Sequence, residues 1–193
     1  GERCHFCFDT TQLRRIWVSA FGAALGPDAK LARALSRASG RPRKDALGWH
    51  TGLRLTSAER LGELLRDAAD SGGGLALHAV GNGAVAGVLD ALAAERTRSG
   101  VGTGAGGDTG AGANVRIEHA LTLDDELARR LGATGLPVVT QPGFLRTHAR
   151  QLVTIPPPAP LMLFPLRSLL SHGAQLAFGS DYPAADLSPW PAI

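Results

Sequence analysis

The stretch GLALHAVGNGAVAGVLDALAAE, residues 74–95, decides the fold, because its hydrophobic pattern changes from one period to another. Residues 74–80 form a short apolar run bounded by glycines, which is typical of a buried β-strand. Over residues 83–95, apolar side chains such as Val85 and Val88 recur at helical spacing. The stretch therefore predicts a buried strand followed directly by an amphipathic helix.

The same order of strand and helix continues along the chain. Further strands are predicted over 115–120, 136–144 and 174–181, with helices beginning near Thr122 or Asp124 and ending at Gly173. Strands separated by helices, without hairpin signals, favour a parallel sheet, which we expect to be covered on both faces. Four such units make either an open doubly wound sheet or half of an eight-unit barrel.

The chain divides at a predicted helix start, where Thr56 and Glu59 form a capping-box pattern. Residues 1–55 are a poorly defined N-terminal segment, and residues 56–193 carry the regular pattern. Residues 96–114 are rich in glycine and are predicted to be a poorly ordered insertion.

Composition excludes several classes of protein. The chain has 193 residues, 44% apolar and 19% charged, which is enough for one globular domain with a core. The arginines are scattered and the net charge is only +3, so we expect no nucleic-acid binding. No apolar run is long enough to span a membrane. Cys4 and Cys7 imply no disulfide framework, which fits a reducing cytoplasm.

Residues with polar side chains end the four predicted strands: His78, His119, Gln141 and Asp181. The carboxyl ends of parallel strands form one face of the fold, where functional groups gather. Two histidines and an aspartate suit a divalent metal such as zinc. Each residue also has a simpler interpretation, since a histidine at a strand end is often structural and an aspartate often caps a turn. The coincidence of three potential ligand residues at three of the four strand ends favours the metal site.

The chain also resembles a known family. Its stretches LALHAVGNGAV, RIEHA, VVTQPGF, PLRSLLSHGAQLAFGSDYP and SPWPAI are similar to consecutive motifs of the metal-dependent amidohydrolase superfamily. The closest resemblance is to the amidohydrolase 3, or YtcJ-like, family, and it covers about residues 56–193. It implies a partial TIM (β/α)8 barrel, about strands four or five to eight.

The resemblance implies a role for each candidate residue. His78 and His119 would be metal ligands on strands five and six, and Asp181 would be both metal ligand and general base. Lys30 is a candidate for a carbamylated bridging ligand. From its residue type, Gln141 is expected to hydrogen-bond either backbone or substrate, and Arg146, on the loop after strand seven, is a further candidate substrate contact. The expected activity is metal-dependent hydrolysis of a non-peptide carbon–nitrogen bond in a small molecule, with zinc as the expected metal.

The sequence also departs from that family, which leaves rival interpretations open. It contains no His-x-His, the ligand pair of the family's first strand, which should precede residue 1. The first rival is an inactive truncated fragment or pseudoenzyme that retains part of the metal site. The second is an open-sheet nucleotide-binding module that uses GNGAV, residues 81–85, as its turn. Exposed sheet edges would favour association, so a homo-oligomer is a further expectation.

Overall fold

The computed structural model describes residues 5–7, 43–45, 48–52, 56–99, 114–146, 160–188 and 190. The N-terminal segment contributes three short strands to this set: β1 (His5–Cys7), β2 (Arg43–Asp45) and β3 (Gly48–Gly52). They form an antiparallel sheet in the order β1-β3-β2. Lys30 lies outside the described residues.

A second sheet holds the candidate site, and all of its neighbouring strands are parallel. Its strands are β4 (Gly74–Ala79), β5 (Asn114–His119), β7 (Pro137–Thr140) and β9 (Gln175–Phe178), in that spatial order. The prediction of a parallel sheet with alternating helices is confirmed. Two of its strands are shorter than predicted, since β7 ends before Gln141 and β9 ends three residues before Asp181.

The described helices that alternate with these strands are α1 (Ala58–Asp70), α2 (Asn82–Ser99), α3 (Asp125–Ala133) and α4 (Leu166–Ser171). Two of them, α1 and α3, begin at side-chain caps, which satisfy free backbone N–H groups. Ser57, not Thr56, caps α1, because its side chain accepts a hydrogen bond from the Arg60 N–H at 3.2 Å. Asp124 caps α3 by accepting from the Leu127 N–H at 2.7 Å.

Helix α2 is longer than its apolar pattern predicted, so residues 96–99 are helical rather than part of the glycine-rich insertion. The hydroxyls of Thr97 and Ser99 each donate to the carbonyl four residues earlier, at 3.0 and 2.9 Å. Glu95 is 8% exposed, and its carboxylate binds Arg66 of α1 at 2.5 Å. These contacts extend the helix beyond its last apolar residue. Residues 100–113 of the predicted insertion lie outside the described residues.

The core lies on the helical side of the parallel sheet. Leu77, Ile117 and Val138 are neighbours across three strands and are 6%, 0% and 0% exposed. On the opposite face, Ala76 and Arg116 are exposed. The expectation that both faces are covered is therefore wrong for the part of the sheet that the structure describes.

Helices α3 and α4 pack closely against each other beside β7 and β9. A Cβ atom on Gly132 of α3 would collide with the carbonyl group of His172, which follows α4. At the other end, the Asp125 carboxylate accepts from the Ser168 hydroxyl at 2.5 Å and lies 3.2 Å from His172 Nε2. The hydrogen bond from Ser168, and to a smaller extent that from His172, lowers the pKa of the Asp125 carboxyl group below its ordinary value. The close contact between α3 and α4, called here the α3–α4 joint, therefore needs glycine at position 132.

A small antiparallel ribbon, which the sequence analysis did not predict, joins two loops at the carboxyl edge of the sheet. Its strands are β6 (Thr122–Leu123) and β8 (Met162–Leu163). The Phe164 N–H also donates to the Leu121 carbonyl at 2.8 Å. None of the helices among the described residues is long and apolar enough to cross a membrane.

Candidate metal centre

Two histidines meet at the carboxyl ends of β4 and β5. His119 Nε2 lies 2.8 Å from His78 Nδ1, and the two rings pack edge to face with their centroids 4.3 Å apart. His119 is 6% exposed, whereas His78 is half-buried. One ring nitrogen of each residue therefore faces the other at hydrogen-bond distance.

The backbone at the end of β5 makes this contact possible. His119 is level with Ala79 in the sheet register, so regular alternation would turn its side chain away from the face that carries His78. His119 and Ala120 instead have φ values of 80° and 46°. Left-handed backbone costs a non-glycine residue about 1–2 kcal/mol. Such a conformation points to a functional constraint at this position.

Gln141 holds the far side of the His119 ring. Its side-chain Oε1 lies 2.7 Å from His119 Nδ1, and its Nε2 donates to the Val139 carbonyl at 3.2 Å. Gln141 is 2% exposed. Both polar ends of this candidate substrate contact are thus engaged within the protein.

Phe144 also contacts His119, and the sequence analysis missed it. Its ring stacks on His119 with centroids 6.5 Å apart and an interplanar angle of 21°. The chain turns helically after Gln141, whose carbonyl accepts from the Phe144 N–H at 3.0 Å. Pro142 was the available signal, because proline favours the first position of a helical turn and indicates that the strand has ended.

Burial affects the protonation of His78. Desolvation is the largest cause that lowers the pKa of His78 from its ordinary value of 6.5, followed by the neighbouring His119. The negative charge of Asp181 acts in the opposite direction. The balance favours neutral imidazole, which is the form that binds metals.

Asp181 lies beyond the edge strand β9, in a turn that the chain itself stabilises. It is exposed and has a φ of 52°, and its carbonyl accepts from the Ala184 N–H at 2.8 Å. Its charge acts on His78. Among the described residues, no three His, Cys, Asp or Glu side chains form a group that could hold a metal ion. The ligand set of His78, His119 and Asp181 therefore stays a prediction.

The donor atoms at the two histidines nevertheless suit a divalent metal. Zinc binds imidazole nitrogen at about 2.0–2.1 Å, and a metal-bound histidine commonly uses its second nitrogen for a hydrogen bond. His119 has this arrangement, with Nδ1 on Gln141 and Nε2 turned toward His78. Arg146, the other candidate substrate contact, is exposed within the helical turn that follows Gln141.

Comparison with known proteins shows the family of the chain. The model of a family described as "Amidohydrolase family" matches residues 14–193. The chain belongs to this amidohydrolase family. It is 30% identical over 155 residues to the N-substituted formamide deformylase of Arthrobacter pascens, covering 77% of the chain and 27% of that protein. It is 27% identical over 139 residues to the putative amidohydrolase YtcJ of Bacillus subtilis (strain 168), and this match covers 72% of the chain and 24% of that protein.

Solved structures show the same fold. The chain is similar to uncharacterized metal-dependent hydrolases from Pyrococcus furiosus and Pyrococcus horikoshii OT3, each with a TM-score of 0.55. Identities are 22% and 21%, and the alignments cover 74% of the chain and 27% and 26% of those structures. The chain spans about a quarter of the length of the curated relatives it matches.

Proposed function

We propose that the protein containing this chain hydrolyses a carbon–nitrogen bond of a small, non-peptide amide with the help of a divalent metal, zinc being the expected ion. The observation that carries the proposal is the pair of imidazole nitrogens facing each other at the carboxyl edge of the parallel sheet, 2.8 Å apart. Membership of the amidohydrolase family supports the reaction class. In this proposal the sheet is part of a TIM barrel whose active site lies at that edge.

His78 and His119 would hold the metal through Nδ1 and Nε2, and Asp181 would complete the site from the edge strand. A divalent metal at such a site acidifies water and polarises a carbonyl group. The Asp181 carboxylate would accept the proton of the attacking water and return it to the leaving nitrogen. His119 is fixed by Gln141 and Phe144, so its ring needs little reorganisation to serve as a ligand.

A second candidate is a pseudoenzyme or inactive truncated fragment that keeps part of the metal site. One observation favours it, since the residues that the structure describes include no group of three potential ligands. Metal binding without hydrolysis would be its signature.

The test begins with zinc binding to the purified chain and to three variants: His78→Ala, His119→Ala and His172→Ala. His172 is the matched control, because it is a partly buried histidine that contacts Asp125 on α3. We expect affinity to fall by about tenfold or more in the first two variants and to be unchanged in the control. Equal zinc affinity in the His78→Ala/His119→Ala double variant and the wild type would contradict the metal site.

Hydrolysis is then measured in the complete gene product with a panel of N-substituted amides. Formamides come first, because one relative is named N-substituted formamide deformylase. Release of amine that Asp181→Asn reduces by about 10²–10⁴-fold supports the proposed general base. Stoichiometric zinc without turnover on any amide supports the pseudoenzyme instead.

A further inference from the structure

The side-chain amide of Gln141 has one defined orientation. Its Nε2 is 3.2 Å from the carbonyl oxygen of Val139, and a carbonyl can only accept. The NH₂ end must therefore face Val139, which leaves Oε1 to face His119 Nδ1 at 2.7 Å. In the flipped orientation, with Oε1 and Nε2 exchanged, the amide oxygen would face the Val139 carbonyl oxygen and no hydrogen bond could form there.

The amide orientation determines the tautomer of His119. An amide oxygen has no proton to donate, so the proton between Gln141 Oε1 and His119 Nδ1 belongs to the histidine. In the neutral ring, Nε2 then carries a lone pair. That lone pair is directed at His78 Nδ1, which donates across the 2.8 Å contact.

We infer that Gln141 is a positioning residue that keeps the proton of His119 on Nδ1 and its Nε2 lone pair directed at His78. Without an acceptor beside Nδ1, the ring is free to carry its proton on Nε2, and Nε2 is then blocked as an acceptor or ligand. Because Gln141 is 2% exposed and both ends of its amide have partners, it acts through His119 rather than on a substrate. The consequence for metal binding rests on the proposed function, whereas the tautomer does not.

The experiment reads the tautomer directly, by long-range ¹H–¹⁵N correlation of labelled histidine rings in the metal-free chain. The spectra are recorded at about pH 8, which lies above the ordinary pKa of a histidine side chain. Three variants are compared with wild type. Gln141→Met removes the acceptor at similar length, Gln141→Glu keeps an acceptor, and Gln175→Met makes the same change at an exposed glutamine on β9.

We expect the Nδ1–H signature of His119 in wild type, Gln141→Glu and Gln175→Met, and its loss in Gln141→Met. Zinc affinity should fall by about 10–100-fold in Gln141→Met and stay close to wild type in the other two. A merely structural role would not be rescued by Gln141→Glu, because a carboxylate cannot donate to Val139.

An Nε2–H signature in the wild-type chain overturns the inference, even if Gln141→Met fails to fold. Retention of Nδ1–H in a folded Gln141→Met variant overturns it as well. If the wild-type chain shows Nδ1–H but binds no zinc, the proposed function fails while the positioning role of Gln141 is supported.

Discussion

Strand β5 lies inside the parallel sheet and β9 lies at its edge, and the two strands differ in how completely the protein covers them. Val115 and Ile117 of β5 are 2% and 0% exposed. In β9, Phe178 is 52% exposed, and Gln175 and Ala177 are exposed too. Each strand leads to a predicted ligand, His119 at the end of β5 and Asp181 beyond β9.

The difference shows how unequally the candidate site is supported. His119 is held by packing, a hydrogen bond to Gln141 and a ring contact with Phe144. Asp181 depends on short-range contacts of its own turn, such as the bond from Ala184 N–H and that from Tyr182 N–H to the Ser180 hydroxyl at 3.3 Å. The histidine side of the site is thus organised by the described fold, and the aspartate side by a few local bonds.

The largest expected effect is on the free energy of unfolding. It shows whether side chains of β5 contribute more to stability than those of β9, as their burial predicts. Ile117→Ala should lower the free energy of unfolding by about 2–5 kcal/mol, because it removes a fully buried side chain and leaves a cavity. Phe178→Ala should cost less than about 1 kcal/mol, since half of that ring is already exposed. Urea unfolding of both variants measures the difference, and equal losses would mean that β9 is covered in solution.

A second, smaller effect concerns the α3–α4 joint, which connects the covered part of the sheet to its edge. Gly132→Ala adds a Cβ that meets the backbone carbonyl of His172. The strain should cost about 1–3 kcal/mol. It should outweigh the gain of up to about 1 kcal/mol that alanine usually brings in a helix interior.

Gly74→Ala is the matched control for this change. A Cβ there would lie 3.5 Å from the Asn114 carbonyl oxygen, an ordinary contact, so the change should stay within about 0.5 kcal/mol. A higher melting temperature for Gly132→Ala than for wild type would show that the two helices are not held together as described.

The smallest expected effect is a pH dependence at His78. Burial lowers its pKa from 6.5, so below that pH the unfolded chain takes up a proton that the folded chain resists. The stabilising contribution of neutral His78 to the free energy of unfolding is present above pH 6.5 and is lost as the pH falls toward the lowered pKa of the folded state. The unfolding free energy of wild type should therefore fall more steeply between about pH 7.5 and 5.5 than that of His78→Asn. Parallel pH profiles would contradict the effect of burial.

The sequence predicted the first two strands of the parallel sheet well and the last two less well. Strands β4 and β5 were placed within one residue, because each apolar run begins directly after a glycine-rich stretch. The ends of β7 and β9 were placed too late, because the predicted strands ran on through Pro142 and Gly179, two residues that commonly interrupt a strand. Before these residues, the apolar runs themselves carry little information on where the strand stops.

Of the candidate site, the residue types were predictable and their mutual orientation was not. His78 and His119 are 41 positions apart in sequence, and alternation alone would separate their side chains. Their contact depends on positive φ values at His119 and Ala120, which are not glycines and give no sequence signal. The ribbon of β6 and β8 was missed for a similar reason, since two residues are too few for a period.

That ribbon has an evolutionary consequence. It places Leu123 and Met162 side by side, so the chain between them begins and ends at one fixed place on the carboxyl edge. Between them the described chain forms α3, β7 and the turn of Gln141 and Phe144, so the residues that hold His119 belong to a stretch whose two ends are paired with each other. Relatives that keep this pairing would keep Gln141 and Phe144 beside His119 while other parts of the carboxyl edge change.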